Sequence, residues 1–272
     1  MHPILFQIGP FKLHSYGLMV FLGFAFGVWL GTVRARKVGI PPAKVMDLTM
    51  WILIGSMVGA RLMYVLFHLD EFKGRLLDII SPIQSDGTIG IAGLVVLGGV
   101  IFAVPAAWWY LKKQNIPFLK MMDVMVPSLA FGMVIGRIGC TLNGCCFGLP
   151  TDLPWGITFP ENCYAGSVFP HQSIHPTQIY TIIYCAVIGT ILLLRSPHKR
   201  FEGELFYLFF LLYGPARYLN ETVRYYRTSM ILFHIGDYRM TISMLISITI
   251  TIIAIILLYK GYRSARGRNV KG

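Results

Sequence analysis

Long apolar stretches alternate with short polar segments along the whole chain. Four stretches contain no charged side chain: residues 15–33, 89–111, 177–194 and 240–259. Three more, at residues 47–69, 121–139 and 204–219, are apolar except for one acidic residue and one arginine each. Because a helix needs about 20 apolar residues to cross the hydrocarbon core of a bilayer, the pattern predicts an all-α integral membrane protein with about seven transmembrane helices.

The composition agrees with a membrane protein. Of the 272 residues, 55% are hydrophobic and 13% are charged, whereas soluble domains carry about 25% charged residues. Neither an internal repeat nor a low-complexity tract divides the sequence. We therefore expect a single polytopic membrane domain over residues 1–272.

The net charge of +12 could suit nucleic-acid binding, but its distribution favours a membrane topology and no nucleic-acid partner. Fifteen of the 24 lysines and arginines follow predicted spans one, three, five and seven. Positive loops mark the cytoplasmic face. The N-terminus is thus predicted outside, and the C-terminus, with a basic tail at residues 260–272, in the cytoplasm. Residues 140–176 lack lysine and arginine and are predicted to form an extracytoplasmic head segment.

Three arginines lie inside predicted spans: Arg61, Arg137 and Arg217. A charge at the bilayer centre costs at least about 2.5–3.5 kcal/mol on insertion scales and marks function. The three cations together predict a receptor for an anion, and in a membrane this points to a phospholipid head group. Structural alternatives exist for two of them. Arg137 could extend to the interface from its helix end, and Arg217 could pair with Glu221, four residues along the same helical face.

Glycines follow Arg137 in the run GRIGCTLNGCCFG at residues 136–148. An arginine fork beside accessible backbone N–H groups suits phosphate, so a ligand-facing turn is predicted for Gly139, Gly144 and Gly148, with Asn143 in the same turn.

Four further glycines and Arg224 have predicted roles in helix packing or ligand binding. Gly132 and Gly136 are predicted to pack against a neighbouring helix. The pair at residues 98–99 either packs in the same way or breaks the helix so that amide groups reach a ligand. Arg224, seven residues beyond Arg217, predicts a basic stripe that guides an anionic group outward.

The five cysteines allow several uses. Four fall in the predicted head segment and one in a span: Cys140, Cys145, Cys146, Cys163 and Cys185. Thiols outside the cytoplasm can form disulfides. The Cys-x4-Cys-Cys spacing matches no strong zinc pattern, and a cysteine nucleophile would need a histidine such as His171 or His175. Structural or disulfide use is therefore predicted, with no metal and no cofactor.

Six ordered blocks carry a family resemblance. They are HSYGLM at 14–19, GARLMYV at 59–65, the glycine-rich run at 136–148, PWGITFP at 154–160, HPTQIY at 175–180 and YGPARYLNE at 213–221. Over nearly its full length the chain resembles the prolipoprotein diacylglyceryl transferase family. The resemblance implies a seven-helix enzyme of the bacterial plasma membrane. Such an enzyme moves the diacylglyceryl group of phosphatidylglycerol onto the lipobox cysteine thiol of a preprolipoprotein signal peptide and releases glycerol phosphate.

The resemblance also implies roles for individual residues. Arg137 matches the arginine that holds the lipid phosphate, Arg217 belongs to a second basic cluster, and Tyr16 matches a functional tyrosine. With the residue-level reasoning, the predicted catalytic residues are Arg137, Arg217, Tyr16, Glu221, His175 and His14. The predicted substrate-binding residues are Arg137, Arg61, Asn143, Gly144, Gly148, Tyr213, Arg224, Gly98 and Gly99.

The chain departs from the family pattern at four positions. Leu97 stands where many members have His or Tyr, which is a candidate base. Cys140 and Cys145 stand where many have Asn and Glu, and Thr181 stands where Glu often occurs.

These departures leave three alternatives for the base and the substrate. The base is His14 or His175, the arginine field suffices, or the chain is a related transferase with a different acceptor or lipid donor. From another class, an organic-anion transporter could use the three arginines as its binding site. Such transporters often have matching broken spans in two halves, which this sequence lacks.

Overall fold

The computed structural model describes residues 4–8, 11–72, 95–226, 231–235 and 238–269. The chain divides into two compact units, one formed by Met1–Gly31 with Met122–Gly272 and the other by Thr32–Met121.

Helices dominate both units. They are α1 (Ser15–Lys37), α2 (Pro42–Phe67), α3 (Val96–Lys113), α4 (Phe118–Asn143), α5 (Tyr164–Val168), α6 (Thr177–Arg195), α7 (Glu204–Thr222) and α8 (Ile242–Asn269). Three antiparallel pairs of short strands accompany them: β1 (Ile4–Ile8) with β2 (Phe11–His14), β3 (Ile157–Thr158) with β4 (Ser173–Ile174), and β5 (Ile231–Ile235) with β6 (Tyr238–Thr241).

A helix occurs at each of the seven predicted spans, in the part of each span that the structure describes. Residues 89–94 of the third span lie outside the described residues. Five of the helices, α1, α2, α4, α6 and α8, are long and apolar enough to cross a membrane. Large apolar side chains such as Phe21, Leu66 and Leu194 are exposed on them, as expected for helices whose outer surface meets lipid.

In the second unit, α2 and α3 approach closely through glycines. A β-carbon added at Gly98 would overlap the carbonyl oxygen of Gly59 and the Cβ of Met63, and one at Gly99 would lie 3.1 Å from the Ser56 oxygen. Both glycines lie in the first turn of α3 as the structure describes it. The close approach supports the packing interpretation of the pair, and contact of their amide groups with a ligand stays a prediction.

In the first unit, α4, α6 and α7 enclose an apolar core made of Val126, Ala130, Ile188, Leu192, Leu205 and Phe209. Helix α1 joins them, because Gly23 and Gly132 are in contact: a β-carbon at Gly23 would lie 2.8 Å from the Gly132 oxygen. The packing prediction is thus confirmed for Gly132. It is wrong for Gly136, around which the structure leaves open space.

Two buried carboxylates fix the beginning of α7. Asp123 accepts hydrogen bonds from Lys199 Nζ (2.9 Å) and from the backbone N–H groups of Gly203 (2.8 Å) and Phe206 (3.0 Å). Glu204 pairs with Arg195 at 2.6 Å. These bonds satisfy N–H groups at the start of the helix that have no acceptor within it, and so they set the position of the helix that carries Arg217.

We predict that Gly98→Ala destabilises the protein by about 1–3 kcal/mol, because the added methyl group has no space between α2 and α3. Thermal unfolding in detergent, followed by circular dichroism, measures the effect. The matched control is Gly136→Ala, which has room for a methyl group and should be neutral or stabilising by about 0.5–1 kcal/mol. Equal losses in the two variants would contradict the packing interpretation.

Candidate functional site

The glycine-rich run begins with a tight helix end. Helix α4 stops at Asn143, and Gly144 follows with a φ of +67°. The Gly144 N–H donates to the Thr141 oxygen (3.2 Å) and the Cys145 N–H to the Cys140 oxygen (3.1 Å). This is the Schellman arrangement, which requires a left-handed residue, usually glycine. A β-carbon at Gly144 would also lie 2.5 Å from Cys163 Sγ.

Backbone hydrogen bonds join this turn to the head segment and to the end of α7. Gly148 N–H donates to the His175 oxygen (3.0 Å), Leu149 N–H to the Val223 oxygen (2.8 Å) and Tyr225 N–H to the Phe147 oxygen (3.0 Å). A β-carbon at Gly148 would lie 2.5 Å from His175 Cβ. Gly148 is therefore needed for close backbone approach at this junction.

The start of α6 holds the same turn from the other side. Gln178 Nε2 donates to the Cys145 oxygen (2.8 Å), and Thr177 Oγ1 donates to the Cys146 oxygen (2.6 Å). Asn220 Nδ2 on α7 donates to the Thr177 oxygen (3.2 Å) and to Thr181 Oγ1 (3.0 Å). Sequence reasoning missed Gln178, Thr177 and Asn220 as positioning residues, although all three occur in the motif blocks.

Two of the three arginines in predicted spans share interaction partners. Arg137 and Arg217 both interact electrostatically with Tyr184 and with Tyr213. The two tyrosine rings are themselves 5.9 Å apart, centroid to centroid. Arg137 Nη1 also lies 4.0 Å from Cys140 Sγ.

Glu221 supplies a buried counter-charge. Its Oε2 lies 2.7 Å from Arg217 Nη1 and 3.9 Å from Arg224 Nη1, and its side chain is fully buried. Arg217 Nη2 also donates to Tyr226 Oη at 3.4 Å. The Arg217–Glu221 pair predicted from the i,i+4 spacing is thus formed. One carboxylate faces two guanidinium groups, so the cluster retains positive charge.

Arg224 does not lie on α7, so the predicted basic stripe along one face of that helix is wrong. Helix α7 ends at Thr222, so Arg224 lies beyond it. Its backbone is bridged to Gly148, and its carbonyl accepts a hydrogen bond from Arg239 Nη2 at 2.6 Å. The fold beyond the helix, rather than helical periodicity, therefore aims this side chain inward.

One buried donor at the site, the Nε–H of Arg224, lacks a hydrogen-bond partner within the described part of the chain. An unmet buried polar group costs about 1–3 kcal/mol. Together with the surplus positive charge, this donor favours an anionic ligand.

The other candidates in the first unit occupy different settings. Tyr16, the second residue of α1, interacts electrostatically with Arg137 and with Cys140. His14 ends β2 and is exposed. Asn143 is the half-buried last residue of α4. Gly139 lies within α4, so the predicted ligand-facing turn is wrong for this residue. It packs against α1, because a β-carbon there would be 2.8 Å from Met19 Cβ.

His175 lies just before α6, with its Nδ1 3.1 Å from the Tyr180 hydroxyl. That hydroxyl accepts a hydrogen bond from Trp155 Nε1 at 2.8 Å. Burial lowers the pKa of His175 below its ordinary value. The imidazole is thus neutral at neutral pH, the form that can accept a proton.

Arg61 lies in the second compact unit, as do Gly98 and Gly99. It is buried, and its guanidinium carbon is 5.1 Å from the centroid of the Phe72 ring. The convergence of Arg61 with the other two arginines stays a prediction.

All five cysteines are free thiols, so the disulfide use expected from their location does not occur in this structure. Cys163 Sγ instead donates to the Pro160 oxygen at 3.0 Å, inside an apolar cluster of the head segment that also contains Phe147, Phe159 and Ile174.

Comparison with known proteins identifies the family. A model of the family described as prolipoprotein diacylglyceryl transferase matches residues 3–260. The chain belongs to the prolipoprotein diacylglyceryl transferase family. Among its relatives, the phosphatidylglycerol–prolipoprotein diacylglyceryl transferase of Clostridium tetani is 33% identical over 245 residues, 90% of each chain. The protein of the same name from Finegoldia magna is 32% identical over 96% of each chain. The one from Aeromonas hydrophila is 33% identical over 99% of this chain and 94% of its own. In this family member, Arg217 and Arg224 share the carboxylate of Glu221, and Arg224 is bridged to Gly148 of the glycine-rich turn.

We predict that Glu221→Gln destabilises the protein by about 3–5 kcal/mol, because two buried guanidinium groups lose their counter-charge. Thermal unfolding in detergent measures the loss. Glu161→Gln removes a carboxylate from an exposed pair with His171 and is the matched control, with an expected change within about 0.5 kcal/mol. The double variant Arg217→Met, Glu221→Leu should recover part of the loss. Unchanged stability in Glu221→Gln would show that the carboxylate is dispensable.

Proposed function

We propose that this protein transfers the diacylglyceryl group of phosphatidylglycerol to the lipobox cysteine thiol in the signal peptide of preprolipoproteins and releases glycerol phosphate. The carrying observation is that Arg137 and Arg217, from the two helices α4 and α7, interact electrostatically with the same two tyrosines, Tyr184 and Tyr213. Membership of the family supports the same conclusion, because relatives that are similar over most of their length are named for this activity.

The reaction explains why guanidinium groups are needed. The acceptor sulfur attacks a glycerol carbon of the lipid, the C–S bond forms, and the bond between that carbon and the phosphate oxygen breaks. The thiol proton leaves, and the phosphate monoester departs with increased negative charge. Arginines fixed in a site of low dielectric stabilise that charge without reorganising.

Each part of the site has a role in this proposal. Arg137, with Asn143, holds the phosphate. Gly144 and Gly148, whose N–H groups bond to Thr141 and His175, shape the turn beside it. Arg217 and Arg224 stabilise the departing group, and Glu221 keeps both aligned. Tyr213 and Tyr16 bound the site. Substrate binding by Arg61, Gly98 and Gly99 stays a prediction.

The acceptor thiol must lose its proton, because only the thiolate is a good nucleophile. His175 is the better placed of the two candidate histidines. It is neutral, and its backbone is bonded to the glycine-rich turn, whereas His14 is exposed at the end of β2. The positive field of the arginines assists by stabilising the thiolate.

We propose further that the chain is a single polytopic domain that crosses the bacterial plasma membrane seven times. In this arrangement the N-terminus and the head segment at residues 140–176 face outward, and the basic tail at residues 260–272 faces the cytoplasm. The distribution of lysine and arginine among the loops supports this orientation.

Arg137→Ala should lower the rate of transfer of radiolabelled diacylglycerol from phosphatidylglycerol to a lipobox peptide by about 10²–10³-fold, the loss typical of one removed charge-stabilising donor. The assay uses membranes that contain equal amounts of inserted protein. Arg36→Ala, at an exposed cytoplasmic-side position, is the control and should keep full activity. Full activity in Arg137→Ala would defeat the assignment. Complementation of a strain depleted of its own transferase separates this function from transfer to a different acceptor, which Leu97 would favour.

The topology predicts opposite labelling of two exposed positions. In a variant whose five native cysteines are replaced by serine, Glu161→Cys should react with a membrane-impermeant maleimide in intact cells. Ser264→Cys should react only after permeabilisation. Labelling of Ser264→Cys in intact cells would reverse the proposed orientation.

A further inference from the structure

Three thiols meet beside Arg137. Cys140 lies in the last turn of α4, and Cys145 and Cys146 follow the turn at Gly144. Their three sulfur atoms all lie within 4.8 Å of one another. The Schellman turn explains this meeting, because it bonds the Cys145 N–H to the Cys140 oxygen and folds the chain back over the helix end. The spacing in the sequence matches no familiar metal motif, so only the fold reveals the cluster.

The turn that carries Cys145 and Cys146 is fixed by hydrogen bonds from α6. Gly144 and Cys146 both have a positive φ, +67° and +62°, a conformation that is costly for a residue with a β-carbon. The carbonyl groups of Cys145 and Cys146 are fixed by Gln178 and Thr177 at 2.8 and 2.6 Å. The strained residue is therefore maintained by surrounding bonds, and strain of this kind clusters at ligand sites. The thiols are gathered before any ligand arrives.

Cationic side chains flank the three thiols. Arg137 Nη1 is 4.0 Å from Cys140 Sγ, and both Arg224 and Arg137 interact electrostatically with Cys146. Three thiolates around a divalent ion carry a net charge of −1, which neighbouring guanidinium groups would stabilise. Cys140 is buried, whereas Cys145 and Cys146 are half-buried, which leaves a route for an ion.

We propose that Cys140, Cys145 and Cys146 form a binding site for a thiophilic divalent metal ion of the zinc class, with three thiolate ligands and one further coordination position open. A Zn–S bond of about 2.3 Å in tetrahedral geometry places ligand sulfurs about 3.8 Å apart. Sulfurs within 4.8 Å of one another reach this spacing by side-chain movements of about half an ångström each. Thiolates select such ions over Mg²⁺ and Ca²⁺, which prefer oxygen.

The test is a titration of the reduced full-length protein in detergent with Co²⁺, which gives a thiolate charge-transfer absorption band when cysteines coordinate it. We expect one equivalent of Co²⁺ per chain, displaced by Zn²⁺ and unaffected by Mg²⁺. Cys145→Ser and Cys146→Ser should each weaken binding by more than about tenfold, the loss found even for residues outside the ligand shell. Cys163→Ser, in the head segment, and Cys185→Ser, in α6, are matched controls and should bind as the unmodified protein does.

A second readout uses the unmodified protein and does not depend on how the variants fold. Zn²⁺ should protect Cys145 and Cys146, but not Cys163, from alkylation by a maleimide, as measured by peptide mass spectrometry. The absence of a charge-transfer band in fully reduced protein would overturn the proposal. So would equal weakening in Cys163→Ser, or equal protection of all the cysteines. None of these measurements uses lipid transfer, so their outcome is independent of the proposed function.

Discussion

The buried carboxylate of Glu221 is the group on which the rest of the site depends. Guanidinium groups within an apolar helix bundle persist only where a counter-charge or ligand compensates them. Glu221 provides one negative charge for Arg217 and Arg224. A counter-charge for every guanidinium group would leave no positive charge to attract an anion. The absence of any counter-charge would prevent folding. One carboxylate against two guanidinium groups leaves a surplus positive charge in the site, which the proposed function uses to bind a phosphate ester.

The helices could be predicted from the sequence because lipid imposes a simple rule on apolar segments. Helices occur at every predicted span, and the Arg217–Glu221 pair follows from helical periodicity alone. The periodic argument fails where the chain leaves the helix. Periodicity predicts Arg224 on the face of α7, but α7 ends at Thr222 and a bridge to Gly148 carries Arg224 inward. The glycine-rich run predicts a turn at Gly139, but α4 continues to Asn143.

Contacts between distant segments could not be predicted. The meeting of Cys140 with Cys145 and Cys146 depends on a left-handed residue that reverses the chain at the helix end. The anchoring of that turn by Gln178 and Thr177 joins residues more than 30 positions apart. A single sequence gives no distances across such separations. The motif blocks contain these residues, but only the structure shows which hydrogen-bond partner each of them has.

The backbone ladder that joins Gly148, His175 and Val223 has a consequence for how this protein can diversify. Leu149, the residue after the glycine-rich run, donates to the oxygen of Val223 just beyond α7, and His175 returns the chain to the same ladder by donating to the oxygen of Leu149. Between them lies a loop whose two ends are clamped side by side. The exposed residues of that loop can be exchanged while the clamped ends keep their register. Under the proposed function, contacts with different signal peptides could therefore change over evolution without moving the residues proposed to bind phosphate.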